Sequence, residues 1–378
     1  MKAHVVEPRI TEYLYQKAAA AGVPLSGTFE LTPVCNMDCK MCYVRLSRQQ
    51  QERIAPLKTA EQWLQLGEDA KRAGMLYLLL TGGEPFSHPQ FRQIMEGLHR
   101  IGLLISLNSN GTMIDENTVA WLKNCPPLRV NISLYGTSDE TYSRLCGNPK
   151  GFTQTSRAID LLQQAGISVK LNCSLTPDNA PYLKDMIAFA NERQLPIQVA
   201  GYMFPPARKN PAAVGQNFRL TPEEAAYYTA YSEYLLLGRE KFLKRGCQSG
   251  FLTDPEENCA DVGDVMRCRA GRCSFWITWQ GDMTPCGMFP PEDSPNVFQE
   301  AFETVWEKVK AQVAKIRLPA PCANCSAKMN CRACGAMVLS ESGSFEKVPQ
   351  YRCQMTKAYP CQWERIKEEL ECLEEKER

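Results

Sequence analysis

Apolar positions in the middle of the chain follow two alternating rhythms. Trp63, Leu66 and Ala70 recur at helical spacing, after Thr59 and Gln62 that can form a capping box and before Gly74. Residues 75–80 then form a continuous apolar run, the pattern of a strand buried on both faces. The couplet repeats as a helix near 88–101 with a strand at 103–108, and a helix near 115–123 with a strand at 128–134. It continues with a helix near 152–165 and a strand at 167–175, then a helix near 179–193 and a strand at 196–202. With Thr28–Thr32 as the first strand, the pattern predicts an α/β fold of six βα-type units with parallel strands and helical crossovers. That count suits an open doubly wound sheet or an incomplete barrel. In both, the loops after the strands share one face. Cys35–Cys42, Thr81–Pro85, Asn108–Gly111, Ser133, and Tyr202 with Met203 therefore meet at one mouth.

The flanks read differently. Residues 10–21 favour helix until Gly22 and Pro24, and the polar stretch 45–58 reads as a solvated loop or helix start. Residues 204–211 are proline-rich and irregular, and Thr221-Pro222-Glu223-Glu224 opens a helix expected over 222–244. Tyr227, Tyr228, Tyr231 and Tyr234 share a broad face of it, the mark of a helix packed on its neighbours.

The 378 residues suit two domains, and 44% apolar with 22% charged residues is ordinary globular composition. A net charge of +1 argues against nucleic acid or an acidic membrane as the main partner. Met1–Pro8 lacks the apolar core of a secretory signal, and no run approaches the ~18 residues of a membrane span, so a cytoplasmic location is expected. Eighteen cysteines in a reducing compartment point to metal or redox chemistry rather than disulfides.

Cys35, Cys39 and Cys42 stand just after the first strand. Three thiolates leave one corner of a tetrahedral metal, or one iron of a cubane cluster, open for chemistry; a zinc knuckle lacking its fourth ligand has the same spelling. Gly82-Gly83-Glu84-Pro85 follows the second strand. Taken together, the C-x-x-x-C-x-x-C triplet, the Gly-Gly-Glu-Pro loop and the strand pattern over about residues 28–205 resemble the radical S-adenosylmethionine enzymes, which have a partial (β/α)6 TIM-like barrel. The resemblance implies a [4Fe-4S] cluster on the triplet whose fourth iron takes the amino and carboxylate groups of S-adenosylmethionine. It also implies that Gly82 and Gly83 allow positive φ and close backbone approach, that Glu84 and Pro85 complete a loop facing the ammonium, and that Asn110 lines the same mouth. By the same likeness Ser133 and Arg144 contact the ribose and carboxylate, and Tyr202 and Met203 close the last strand's end. Met41 and Tyr43 flank the third cysteine, with Met41 where the superfamily usually has an aromatic residue against the adenine.

Cys268, Cys273, Cys286, Cys322, Cys325, Cys331, Cys334 and Cys353 form a second array, with Cys286 closing the run Gly281-Asp282-Met283-Thr284-Pro285-Cys286. Eight thiols suffice for two four-iron clusters; a pair of zinc sites is the competing reading and predicts zinc in place of iron and sulfide. The array resembles a SPASM domain, found on radical enzymes that modify peptides and proteins. That likeness assigns Cys268, Cys273, Cys286 and Cys334 to a nearer auxiliary cluster, and Cys322, Cys325, Cys331 and Cys353 to a farther one. Two residues separate Cys331 from Cys334 where the pattern usually has three. The implied organisation is an N-terminal extension (1–27), the barrel (28–205), a helical bridge (206–258) and the auxiliary-cluster domain (259–378). Cys146 and Cys247 are candidate hydrogen-atom donors.

The expected activity is reductive cleavage of S-adenosylmethionine to a 5′-deoxyadenosyl radical, with three [4Fe-4S] clusters in all. The expected substrate is a ribosomally made peptide, to be crosslinked through a thioether or carbon–carbon bond or epimerised, and the expected electron donor is a flavodoxin or ferredoxin. One alternative is formylglycine formation of the anaerobic sulfatase-maturase kind, whose members place an aspartate where Gly287 follows Cys286. Another is a noncatalytic iron–sulfur electron carrier. Residues 1–27 are too short for a separate leader-binding domain, so precursor recognition is expected at the mouth, at the bridge or on another protein.

Overall fold

The computed structural model describes residues 9–205, 218–246, 265–266 and 268–377. Six strands come from the predicted βα units: β1 (Ser26–Glu30), β2 (Tyr77–Thr81), β3 (Leu104–Ser109), β4 (Arg129–Ser133), β5 (Val169–Ser174) and β6 (Ile197–Ala200). All neighbouring pairs among them are parallel. Helix α1 (Arg9–Ala21) precedes β1, and α2 (Arg48–Ile54) and α3 (Ala60–Arg72) lie between β1 and β2. Ser47–Gln50 and Thr59–Gln62 capping boxes start these two, so the polar stretch after the triplet holds a complete short helix. The remaining crossovers are α4 (Phe91–Arg100), α5 (Glu116–Leu122), the pair α6 (Asp139–Cys146) and α7 (Gly151–Gln164), and α8 (Leu183–Glu192). Helix α6 was not expected; Ser138 caps it and Gly147, with φ 66°, ends it.

Two further strands continue the sheet. β7 (Ser274–Ile277) runs parallel to β1 and β8 (Met283–Thr284) antiparallel to β7, giving the order β6-β5-β4-β3-β2-β1-β7-β8. The segment matching the second cysteine array is thus built onto the barrel's own sheet edge. The 222–244 helix is two helices, α9 (Pro222–Leu237) and α10 (Arg239–Arg245), because Gly238 leaves the helical region with φ 80° and ψ 161°. After β8 come α11 (Phe302–Lys315), α12 (Ala320–Ala323), α13 (Lys328–Cys331), α14 (Gly335–Ser342) and α15 (Gln350–Glu377).

One large apolar core joins the strands, most of the crossovers and α15. Phe29, Leu80, Leu107, Ile132 and Leu171 of the strands, Trp63 and Leu98 of the crossovers, and Met355, Trp363 and Ile366 of α15 belong to it. The α9 tyrosines pack against this core and stack on one another, Tyr227 with Tyr231 and Tyr231 with Tyr234, as expected of a packed face. Among the described residues, no helix is long and apolar enough to cross a membrane.

Candidate functional site

The triplet loop leaves the end of β1 and is held on three sides. Below it, Asp38 N–H donates to the Cys146 carbonyl (2.9 Å) and Lys40 N–H to that of Leu145 (3.0 Å), both at the end of α6. Met37, Tyr142, Leu145 and Cys146 form an apolar bed on which Cys35, Cys39, Met41 and Tyr135 pack. Met41 thus packs onto the bed beneath the loop, and Tyr43 is half-buried beside Cys42. Cys146 is fully buried against Cys39, which removes it as a hydrogen donor to a substrate in the mouth; Cys247 lies outside the described residues.

The Gly-Gly-Glu-Pro loop grips the same segment from the side. Gly83 N–H donates to the Thr32 carbonyl (2.7 Å) and Glu84 N–H to that of Val34 (3.0 Å). A Cβ on Gly83 would come within 2.6 Å of the Pro33 and Val34 carbonyl oxygens. The glycine pair therefore serves close approach of two protein backbones, β1's exit against β2's, one residue before Cys35. The Glu84 carboxylate is engaged by the protein itself. It is fully buried and accepts from Asn110 N–H (2.8 Å), the Ser109 hydroxyl (2.9 Å) and Phe86 N–H (3.3 Å), joining the loops after β2 and β3. Burial outweighs these donors and pushes its carboxyl up to about 7. Pro85 begins the short 3₁₀ turn that Glu84 caps.

From the third side, Asn110 donates its amide to Cys35 Sγ (3.6 Å) and to Asn36 Oδ1 (2.9 Å). Ser133 is hydrogen-bonded to Tyr135, whose ring lies within electrostatic reach of Cys39 and Cys42 and whose hydroxyl burial holds well above its usual range. Tyr135 is the contributor that motif reading missed; its one signal was its place two residues beyond Ser133.

Three predicted contacts are engaged elsewhere. Arg144 donates to the Asp178 carbonyl (2.9 Å) and pairs with its carboxylate (3.4 Å), which also holds Lys40 (2.8 Å), so a protein carboxylate occupies the expected clamp. The Tyr202 hydroxyl donates to Glu341 of α14 (2.8 Å). Arg219 donates to the same carboxylate (2.6 Å) and to the Met203 carbonyl (3.1 Å). The end of β6 is thereby fastened to the helix that follows Cys334.

The thiols themselves suit a cluster. Met37 N–H donates to Cys35 Sγ (3.4 Å) and Arg45 N–H to Cys42 Sγ (3.3 Å), donors that favour thiolate over thiol. Burial, followed by the nearby Glu84, Cys39 and Cys42 charges, pushes Cys35 up to about 12 against the pull of the Met37 amide. Such a set becomes three thiolates when a cationic centre sits on it.

In the second array, Cys286 and Cys334 pack on one apolar cluster with Met266, Ala270 and Ala336, and Cys268 lies between Met266 and Ala270. Cys322 lies within electrostatic reach of Cys325, Cys331 and Cys353, and Arg352 pins that corner by donating to the Cys331 carbonyl at 2.6 and 2.8 Å. Cys273 joins neither group. It is fully buried with Ala18 and Leu25, under α1 at the start of β7. Trp276 of β7 connects the two halves: its indole N–H donates to Glu30 at the end of β1 (3.1 Å), and its ring lies over Gly287, next to Cys286.

Comparison with known proteins matches this layout. The radical SAM superfamily model fits residues 29–190, and the iron–sulfur cluster-binding SPASM model fits residues 268–335. The chain is a radical SAM enzyme. It is 25% identical over 336 residues to an AdoMet-dependent heme synthase of Oleidesulfovibrio alaskensis, covering 84% of each protein. Against the antilisterial bacteriocin subtilosin biosynthesis protein AlbA of Bacillus subtilis, identity is 25% over 291 residues, 75% of this chain and 60% of AlbA. The Streptococcus suis SuiB structure bound to the precursor peptide SuiA superposes with a TM-score of 0.68 at 17% identity, over 94% of this chain and 83% of SuiB. The radical SAM chain thus carries its SPASM segment on the barrel sheet through β7.

Proposed function

We propose that this radical SAM enzyme modifies a ribosomally made peptide in a reducing, cytoplasmic compartment, with an electron donor of the flavodoxin or ferredoxin kind. Residues 28–205 serve as the catalytic barrel, 206–258 as the bridge and 259–378 as the auxiliary-cluster domain. When bound, a reduced four-iron cluster with S-adenosylmethionine supplies a 5′-deoxyadenosyl radical. Cys35, Cys39 and Cys42 hold that cluster, with Asn110 donating to the Cys35 sulfur. Gly82 and Gly83 keep the loop against the sheet, and Ser133 with Tyr135 forms the wall beside Cys39 and Cys42. The apolar bed around Tyr142 excludes water from beneath.

The observation that carries this reading is Trp276, which ties the strand leading into the triplet to the glycine next to Cys286. A radical-generating loop and a second thiol array on one sheet suit an oxidative modification, in which the substrate's unpaired electron must leave. The likeness to AlbA and to peptide-bound SuiB supports a peptide as the substrate. Formylglycine formation is disfavoured, because the Trp276 ring would come within 2.9 Å of a Cβ at position 287 and leaves no room for an aspartate there. The likeness to a heme synthase favours a second reading, with a tetrapyrrole as substrate.

The test is anaerobic reconstitution with reductant and S-adenosylmethionine, measuring 5′-deoxyadenosine against a Cys35→Ala control. Incubation with a cysteine-containing precursor peptide, a sulfatase peptide or a tetrapyrrole follows, with products weighed. A loss of two hydrogens from the precursor is expected for a crosslink, and deuterium uptake without that loss for epimerisation. Turnover of the tetrapyrrole alone would overturn the peptide reading, and absence of 5′-deoxyadenosine would leave an electron carrier.

A further inference from the structure

Cys331 and Cys334 fall in different thiol groups, and one buried side chain lies against the segment that joins them. Arg352 is 2% exposed and stands in the first turn of α15, one residue before Cys353. Its Nε and Nη2 donate to the Cys331 carbonyl at 2.8 and 2.6 Å, and its Nη1 lies 3.3 Å from Met355 Sδ. The guanidinium is 5.7 Å from the centre of the Tyr202 ring, just past β6. Burial works against its charge, whereas the neighbouring Cys331, Tyr202 and Cys334 groups support it. A buried cation is costly unless an anion meets it. Holding a carbonyl needs only an N–H, which a neutral amide supplies as well, so the charge exceeds what fixing Cys331 requires.

The corner that Arg352 faces suits a four-iron cluster, because Cys325, Cys331 and Cys353 all lie within electrostatic reach of Cys322. A cubane bound by four thiolates is anionic and gains one negative charge on reduction. A fixed cation beside it therefore stabilises the reduced form more than the oxidised one, and burial limits screening by water. We propose that Arg352 sets the reduction potential of the cluster on Cys322, Cys325, Cys331 and Cys353, its guanidinium holding that potential up. It is a positioning residue that acts through the cluster. The inference rests on this corner holding a cluster and is independent of which substrate the enzyme modifies.

The test uses full-length Cys35→Ala/Cys39→Ala/Cys42→Ala protein, so that auxiliary clusters alone report. Reconstituted anaerobically, it should hold about eight irons, four per cluster. Electron paramagnetic resonance at poised potentials follows each cluster as the reductant adds one electron to it, and the wave lost in Cys325→Ala belongs to this corner. Arg352→Gln keeps an N–H donor and removes the charge. Its iron should stay, and the reduced-to-oxidised ratio at the parent's midpoint should fall about tenfold or more, each tenfold being about 59 mV. Arg352→Lys keeps the charge and should stay within about threefold of the parent. Lys357→Gln removes an exposed cation one turn beyond Cys353 and should also stay within about threefold, because solvent screens it. An unmoved midpoint in Arg352→Gln with full iron would overturn the inference and leave the cluster reading intact. So would Arg352→Lys or Lys357→Gln falling as far as Arg352→Gln. Loss of iron in both Arg352→Gln and Arg352→Met would also overturn it, by making the residue a builder of the site. A parent without iron at this corner would sink the cluster reading and the inference together.

Discussion

Replacing Gly83 with alanine probes what the Gly-Gly-Glu-Pro loop is for. The new Cβ would lie 2.6 Å from two backbone oxygens, of Pro33 and Val34, neither of which can swing aside as a side-chain tip would. Relief requires separating the exits of β1 and β2, which stretches the Gly83–Thr32 and Glu84–Val34 hydrogen bonds of 2.7 and 3.0 Å. Overpacking costs about 1–3 kcal/mol, and two weakened backbone bonds add about 1–2 kcal/mol. The sum, about 2–5 kcal/mol, falls on a segment ending one residue before Cys35, while the core beneath is untouched. Far-ultraviolet circular dichroism should therefore match the parent. Anaerobically reconstituted iron should fall by about four per chain, the content of one cubane, and 5′-deoxyadenosine formation by about 30-fold or more, since each 1.4 kcal/mol is tenfold. A Gly83→Ala enzyme with full iron and undiminished 5′-deoxyadenosine would refute the idea that the glycine sets the cluster loop's position.

The other predictions concern groups away from the reacting atoms. Glu233 of α9 is buried, accepts from the Tyr359 hydroxyl (2.7 Å) on one oxygen, and burial raises its carboxyl from 4.5 to about 7. A raised carboxyl gives stability below its unfolded value that is lost as pH climbs through the folded one, here about 3 kcal/mol between pH 4.5 and 7. Anaerobic melting midpoints of the parent should fall from pH 5.5 to 8 relative to Glu233→Gln, and parallel curves would contradict this. Arg219→Ala leaves the Glu341 carboxylate buried with the Tyr202 hydroxyl, and its cost of about 3–5 kcal/mol should lower the midpoint by several degrees; an unchanged midpoint would sink the claim that this pair fastens β6 to α14. Arg144→Ala removes a half-exposed pair with Asp178 and should alter the KM for S-adenosylmethionine less than about fivefold, as under 1 kcal/mol implies. A hundredfold rise would instead make it the cofactor's clamp.

The barrel strands were legible because short strand-like runs alternate with helix-period segments along the chain, and that alternation fixes parallel pairing. The triplet and the glycine loop were legible because their spacing is local. What escaped depends on long-range register. Nothing near Ser274–Ile277 announces that this short segment pairs with Ser26–Phe29, some 250 residues earlier. The C-x4-C spacing of Cys268 and Cys273 reads as a ligand pair, yet Cys273 is buried with Ala18 and Leu25 at the foot of β7, whereas Cys286 and Cys334 pack on a different apolar cluster. The protein partners of Glu84 escaped for a related reason. A carboxylate in a motif suggests a ligand cation, whereas its partners here are protein donors from the next strand's loop. Arg144 looked like a carboxylate clamp and is one, but the carboxylate belongs to Asp178.

The β1–β7 ladder sets how the two thiol arrays can respond to each other. Glu30 is fully buried at the end of β1 and receives the Trp276 indole N–H, so the strand entering the triplet and the strand entering the Cys286 turn share a buried contact as well as backbone bonds. At the far rim, Tyr202 and Arg219 both bond Glu341, and α15 packs its Met355, Trp363 and Ile366 into the barrel's core. The second array is therefore fastened at both edges of the sheet. A hinge between the halves would have to break a parallel ladder and a buried ion pair together. The separation between the triplet loop and the Cys286 turn is thus set through the sheet that carries both.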